Sequence, residues 1–142
     1  MAFNVKGEWL GIKNVGKRLS DYPTIVQKDA GLVIAEGVLA IHAEARKSIQ
    51  RIASKGNERP DGSFASAPGM PPNTDTGTLV RSIEFDIDTD KATGKVFAGA
   101  EYAAALEFGT KDMTERPFMA PAYAKFRDKI VKNLQKVLKL KK

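Results

Sequence analysis

The chain contains no cysteine in its 142 residues. That excludes a disulfide framework, a thiolate metal site and a cysteine nucleophile. Histidine occurs once, as His42, with no His, Cys or carboxylate near it at metal-ligand spacing, so its ring is read as structural. No apolar run approaches the roughly 18 residues that would suggest a bilayer span. The start, Met1-Ala2-Phe3-Asn4-Val5-Lys6, lacks the basic-then-apolar order of a secretory leader, and the expectation is a protein made in the cytoplasm.

Catalytic constellations are equally sparse. Glu101, Glu107, Asp112 and Glu115 lie close in sequence, but no histidine is near them and their spacing specifies no metal. Ser63, Ser66 and Ser82 stand in no motif that would activate a hydroxyl. The glycines match neither the dinucleotide fingerprint nor the phosphate-binding loop. The expectation is therefore no catalytic residue, no metal, no cofactor and no enzyme.

What is present is the composition of an ordinary globular domain, 42% hydrophobic and 28% charged, long enough to bury a core. A single domain over residues 1–142 is expected. The net charge of +6 is unevenly spread. Residues 125–142 hold eight lysines and arginines against Asp128 alone, a net +7, which leaves the rest of the chain at −1.

Along the chain, residues 2–6 alternate apolar and polar and suggest a short edge strand. Residues 8–20 suggest a short helix with Trp9, Leu10, Ile12, Val15 and Leu19 on one side, weakened by Gly11 and Gly16. Pro23 suits the first turn of a following helix. Over about 23–54, Val26, Ala30, Ile34, Val38, Ile41, Ala45, Ile49 and Ile52 recur every three or four residues, which predicts a long helix packed on a sheet. From Lys55 to Asp75, Gly56, Pro60, Gly62, Pro68, Gly69, Pro71 and Pro72 break every period. Phe64 and Met70 are the large apolar residues left there. This long loop reads either as a flexible surface segment or as an arm that orders against a neighbouring subunit.

Asp75 or Thr76 is placed to cap a helical turn at Leu79–Arg81. Ile83, Phe85 and Ile87 alternate with Glu84, Asp86 and Asp88, which predicts a strand with one buried face. A turn over Thr89–Gly94 leads to a second strand, Lys95–Ala100. Two strands are marginal alone, so the N-terminal strand or another segment is expected to extend the sheet. Tyr102–Phe108 reads as a short helix stopped by a left-handed Gly109. Arg116-Pro117-Phe118 is extended, and Pro121 opens a last helix. That helix places Tyr123, Phe126, Ile130, Leu134, Val137 and Leu138 on one face. Lys125, Lys129, Lys132, Lys136 and Lys139 mark the other over roughly 21 Å. The fold class is thus α+β: a small antiparallel sheet packed by a long helix and a C-terminal amphipathic helix, with a long proline/glycine-rich loop.

The basic face has three readings: a phosphate-binding surface with steep salt dependence, a surface for an acidic protein, or a solvated face. Aromatic residues do not interleave with it, which argues against base stacking.

Three ordered signatures carry a resemblance. Thr76, Gly77, Leu79, Ser82 and Ile83 follow a Thr-Gly-x-Leu-x-x-Ser-Ile pattern. Tyr102, Ala103, Glu107, Gly109 and Thr110 follow a Tyr-Ala…Glu-x-Gly-Thr pattern. Arg116, Pro117, Phe118, Pro121 and Ala122 follow an Arg-Pro-Phe-x-x-Pro-Ala pattern. In this order, with a helix on either side, they resemble the neck or tail-completion (head–tail joining, minor tail) proteins of long-tailed, lambda-like bacteriophages. The likeness spans essentially the whole chain; the additional Lys55–Met70 segment departs from it.

The resemblance implies a structural virion protein that forms a ring, expected to be a hexamer, at the neck or upper tail. Such a ring completes the tail or joins it to the head, and its alternatives are a tail terminator or a head-closure (stopper) ring. A small basic nucleic-acid-binding module is the reading from another class. The implied partners are further copies of the chain and adjacent neck, terminator or tail-tube proteins, with passing contact to genomic DNA and none to a membrane. Candidate interface residues are Glu107, Arg116, Phe118, Phe64 and Met70. Arg116 is suited to pair with Glu107 or Glu115 within or between subunits. Phe118, held between Pro117 and Pro121, is either an anchor in a neighbour's pocket or a core residue docking the last helix on the sheet.

Overall fold

In the computed structural model, which describes residues 2–4, 24–50, 56, 58–60, 62, 64–74 and 76–139, the long predicted helix is the central element. This helix, α1 (Thr24–Gln50), buries Val26, Ala30, Ile34, Val38, Ile41, Ala45 and Ile49 along one stripe. Each buried valine or isoleucine of the stripe contributes on the order of 1.5–3 kcal/mol by leaving water. The predicted helix over 8–20, the strand residues Val5 and Lys6, and the end of α1 beyond Gln50 lie outside the described residues.

The sheet has three strands in the order β1-β3-β2, all antiparallel. They are β1 (Ala2–Asn4), β2 (Ile83–Asp88) and β3 (Thr93–Ala98). The N-terminal strand does extend the hairpin, pairing Ala2 with Phe97 and Asn4 with Lys95. Ile83, Val96 and Ala98 are buried in the core beside α1. Phe85 shares their phase but is 43% exposed, and His42 meets it edge-on at 4.9 Å between centroids. His42 also donates from Nε2 to the Ile83 carbonyl at 3.1 Å, fastening α1 to β2. This is the structural role expected for that residue.

The hairpin differs from the sequence reading in the bounds of its turn and second strand. β3 begins at Thr93 and ends at Ala98, two residues earlier than expected, and the turn shrinks to Thr89–Ala92. The reason is Gly94, which tucks beneath α1. A Cβ there would lie 2.5 Å from Val38 Cγ2, so only glycine lets the ladder start so close to the helix.

A single turn, α2 (Thr78–Arg81), precedes β2. Its N-cap is Gly77, at φ 75°, with no side-chain cap bond, rather than Thr76. Asp75 lies outside the described residues. After β3 come α3 (Ala103–Phe108) and α4 (Met119–Lys139). α4 lies along α1 as its main contact, burying Met119, Ala122, Ile130 and Leu134. Gly37 allows the approach, since a Cβ there would meet Ile130 Cδ1 at 2.5 Å.

Between Gly56 and Thr74 the described residues form no helix and only one isolated bridge, Glu58 to Phe64. They nevertheless bond to their own chain. Gly56 N–H donates to Ala65 O at 2.8 Å, Gly69 N–H to Glu115 O at 2.9 Å, and Asn73 Nδ2 to Phe64 O at 3.0 Å.

Candidate functional site

The three signatures converge at one end of the molecule, and the reason begins with Gly109. It ends α3 at φ 71°, ψ 179°, a conformation outside the left-handed helical stop that was expected and essentially restricted to glycine. A Cβ there would lie 2.8 Å from Met113 O and 2.9 Å from Glu115 N. The chain therefore doubles back sharply. Thr110 N–H donates to Met113 O at 2.8 Å, and Arg116 N–H donates to Leu106 O at 2.6 Å.

This return path brings the start of α4 against Glu107. The side chain is only 3% exposed. Its Oε2 accepts from Phe118 N–H at 2.9 Å and Met119 N–H at 3.0 Å, and its Oε1 accepts from Ala120 N–H at 2.7 Å. A helix start leaves four N–H groups without intrahelical partners. Glu107 takes three of them, and the fourth position is Pro121, which has no N–H to satisfy. The positive end of the helix dipole favours the same negative charge. Hence α4 starts at Met119, two residues before the proline that sequence alone marks as its opening.

Within the chain Glu107 therefore spends both carboxylate oxygens on backbone N–H groups and forms no ion pair with Arg116, one of the pairings considered for that arginine. Phe118 is 0% exposed within its own chain, where it and Met119 join the core cluster at the base of α4. The core alternative describes it, with α1 rather than the sheet as the main partner of the docked helix. Phe64 is half-buried in the loop, and Met70 is 41% exposed.

Arg116 points instead towards a cavity of about 230 Å³ bounded by the end of α1, the loop, α2 and α3. Arg59 and Ser66 also line it. Ser66 is 1% exposed, and its Oγ has no hydrogen-bond partner; neither has the buried Nε of Arg116. Two unsatisfied buried polar atoms in one cavity are unusual, since such groups are normally paired. The sequence carried no signal for Ser66 beyond its hydroxyl.

The basic face is less open than its spacing suggests. Lys125 Nζ donates to Glu44 Oε1 at 2.8 Å and Lys129 Nζ to Glu36 Oε1 at 3.2 Å, so two of the five lysines brace α4 against α1. Lys132, Lys136 and Lys139 are exposed without an ion pair among the described residues. Among those residues no His, Cys, Asp and Glu side chains gather in a group that could hold a metal. No helix there is long and apolar enough to cross a membrane.

A family model described as "Bacteriophage HK97-gp10, putative tail-component" matches residues 13–109, about two thirds of the chain. The chain belongs to this family. Its matched region contains the long helix, the hairpin, the first signature and all of the second but Thr110, and ends two residues beyond Glu107. The third signature and α4, which Glu107 holds, lie beyond it. No curated protein and no solved structure matches the chain. As a member of a tail-component family, the protein is a phage structural component whose contacts are with other tail or neck proteins.

Proposed function

We propose that this tail component closes into a ring at the neck or upper tail, completing the tail or joining it to the head. The observation that carries the ring is on α1. Ile25, Leu32 and Leu39 recur every seven residues on the side of the helix opposite its buried stripe, and are 60%, 64% and 47% exposed. A row of large apolar side chains in water marks an interaction surface. It fits a head-to-tail contact, in which this row meets a different face of the next copy, and such contacts close when the rotation between copies divides a full turn. Six copies are the expected number. Adjacent rings of neck, terminator or tail-tube subunits are the further partners, and Lys132, Lys136 and Lys139 are available to DNA passing through a channel.

The test is the mass of the purified protein in solution by light scattering, alone and mixed with tailless or headless particles of its phage. A closed oligomer supports the reading, as does a monomer taken up by particles at fixed copy number. A monomer that ignores particles yet binds duplex DNA with affinity falling steeply in salt would replace it with the nucleic-acid reading.

A further inference from the structure

Two polar atoms on residues that line the cavity at the meeting point of the signatures, Ser66 Oγ and Arg116 Nε, lack partners. Asn73 Nδ2 and the hydroxyls of Thr76 and Thr78 on the same wall are hydrogen-bonded, and the carboxylate of Glu107, a few residues from Arg116, is taken by backbone. The Nε–H of arginine can only donate, and the guanidinium keeps its charge at every relevant pH. The Ser66 hydroxyl stands in the same cavity and can donate as well. What both lack is an acceptor. The guanidinium of Arg116 brings a positive charge to the cavity wall, which favours a negative group.

We propose that this cavity is a binding site for a carboxylate carried on a peptide, an acidic side chain or chain end of another protein, with Arg116 and Ser66 as its donors. Size and walls favour this over nucleic acid. About 230 Å³ accommodates one side chain, while a duplex needs an open groove with cations along it. Ile49, Leu79 and Leu106 line the same space and would cover the methylenes that carry the charge. The planar fork of Arg116 suits two carboxylate oxygens. Tyr102, 46% exposed, also lines the cavity and offers the arriving segment a flat apolar contact. The assignment goes beyond the ring reading and stands whether or not the chain closes into rings.

The full-length protein is titrated with the peptide acetyl-Ala-Glu-Ala-amide, its Gln counterpart and inorganic phosphate. Binding is followed by calorimetry and by the Arg116 Nε–H resonance. The Glu peptide is expected to bind and shift that resonance, with the Gln peptide at least about tenfold weaker, because the charge-assisted bonds are lost. Phosphate should compete, as an oxyanion of the same charge sign. Arg116→Lys, which keeps the charge but loses the fork, should weaken the Glu peptide about tenfold, and Ser66→Ala about threefold. Equal binding of both peptides, or an unmoved Nε–H resonance, would overturn the proposal in favour of a water-filled cavity. Phosphate binding without Glu-peptide binding would overturn the peptide carboxylate in favour of a free anion.

Discussion

The two long helices lie side by side but are built on different terms. α1 is held by a stripe of seven buried side chains facing both the sheet and α4, and it shows apolar residues to water on its far side. α4 buries four residues, exposes lysines, and has its start fixed by one carboxylate from another element. α1 is the scaffold, and its outer face suits a partner. α4 is an attachment whose outer face is charged and whose start is fixed by a single side chain.

That contrast breaks most sharply at Glu107. Glu107→Ala leaves three backbone N–H groups without an acceptor, two of them on fully buried residues, and is expected to cost about 3 kcal/mol in urea unfolding. A loss below about 1 kcal/mol would mean that α4 is held by its apolar face and the comparison fails. On the outer face of α1 the expectation reverses. Leu32→Lys should change the stability of the isolated subunit by no more than about 0.5 kcal/mol. It should nevertheless weaken self-association at least about tenfold in sedimentation, since a charge would replace an apolar contact at an interface. A subunit that assembles unchanged would assign that face to solvent.

Smaller still is the lysine brace. Replacing Lys125 and Lys129 together by Ala should cost less than about 1 kcal/mol, because both pairs with Glu44 and Glu36 are substantially exposed. The loss should fade as salt rises, which thermal melts at two ionic strengths would read. The least effect belongs to Tyr123. Partial burial raises its phenol above the ordinary value of 10, and the nearby Arg127 opposes this more weakly. A raised folded-state value contributes stability below the ordinary tyrosine range and loses it as pH rises through the folded value. The urea midpoint should therefore dip slightly above pH 10, and Tyr123→Phe should remove the dip.

Much of this scaffold was readable from periodicity. The stripe of α1, the alternation of Ile83, Phe85 and Ile87, and the apolar face of α4 each repeat a period that a helix or strand imposes. The α+β class and the β2–β3 hairpin followed from them, whereas the third strand was left open between the N-terminal segment and another. The apolar row Ile25, Leu32 and Leu39 was equally present in the sequence. It stays hidden behind the stronger buried stripe, because periodicity does not say which of two apolar faces meets water. Glu107 was visible as a motif residue but not in its role. Its partners are backbone N–H groups 11 to 13 residues away, and backbone donors carry no residue identity. A charge-pairing argument therefore turned to Arg116, the nearest cation with a suitable shape. The Ser66 cavity was out of reach for a similar reason, since a space between loop, turn and helices exists only after folding.

The bond between Glu107 and α4 short-circuits the chain. Residues Thr110–Met113 form a small closed bridge on a detour whose two ends are already joined by Arg116 N–H to Leu106 O and by the carboxylate itself. Lys111 and Asp112, at its tip, are exposed and carry no packing duty. Because closing a longer loop costs only slowly increasing entropy, about 0.6 kcal/mol per doubling, the detour can be lengthened without moving the helix. A short epitope inserted between Lys111 and Asp112 should therefore leave the unfolding midpoint nearly unchanged. It would be a handle for locating this subunit within an assembled particle by antibody labelling.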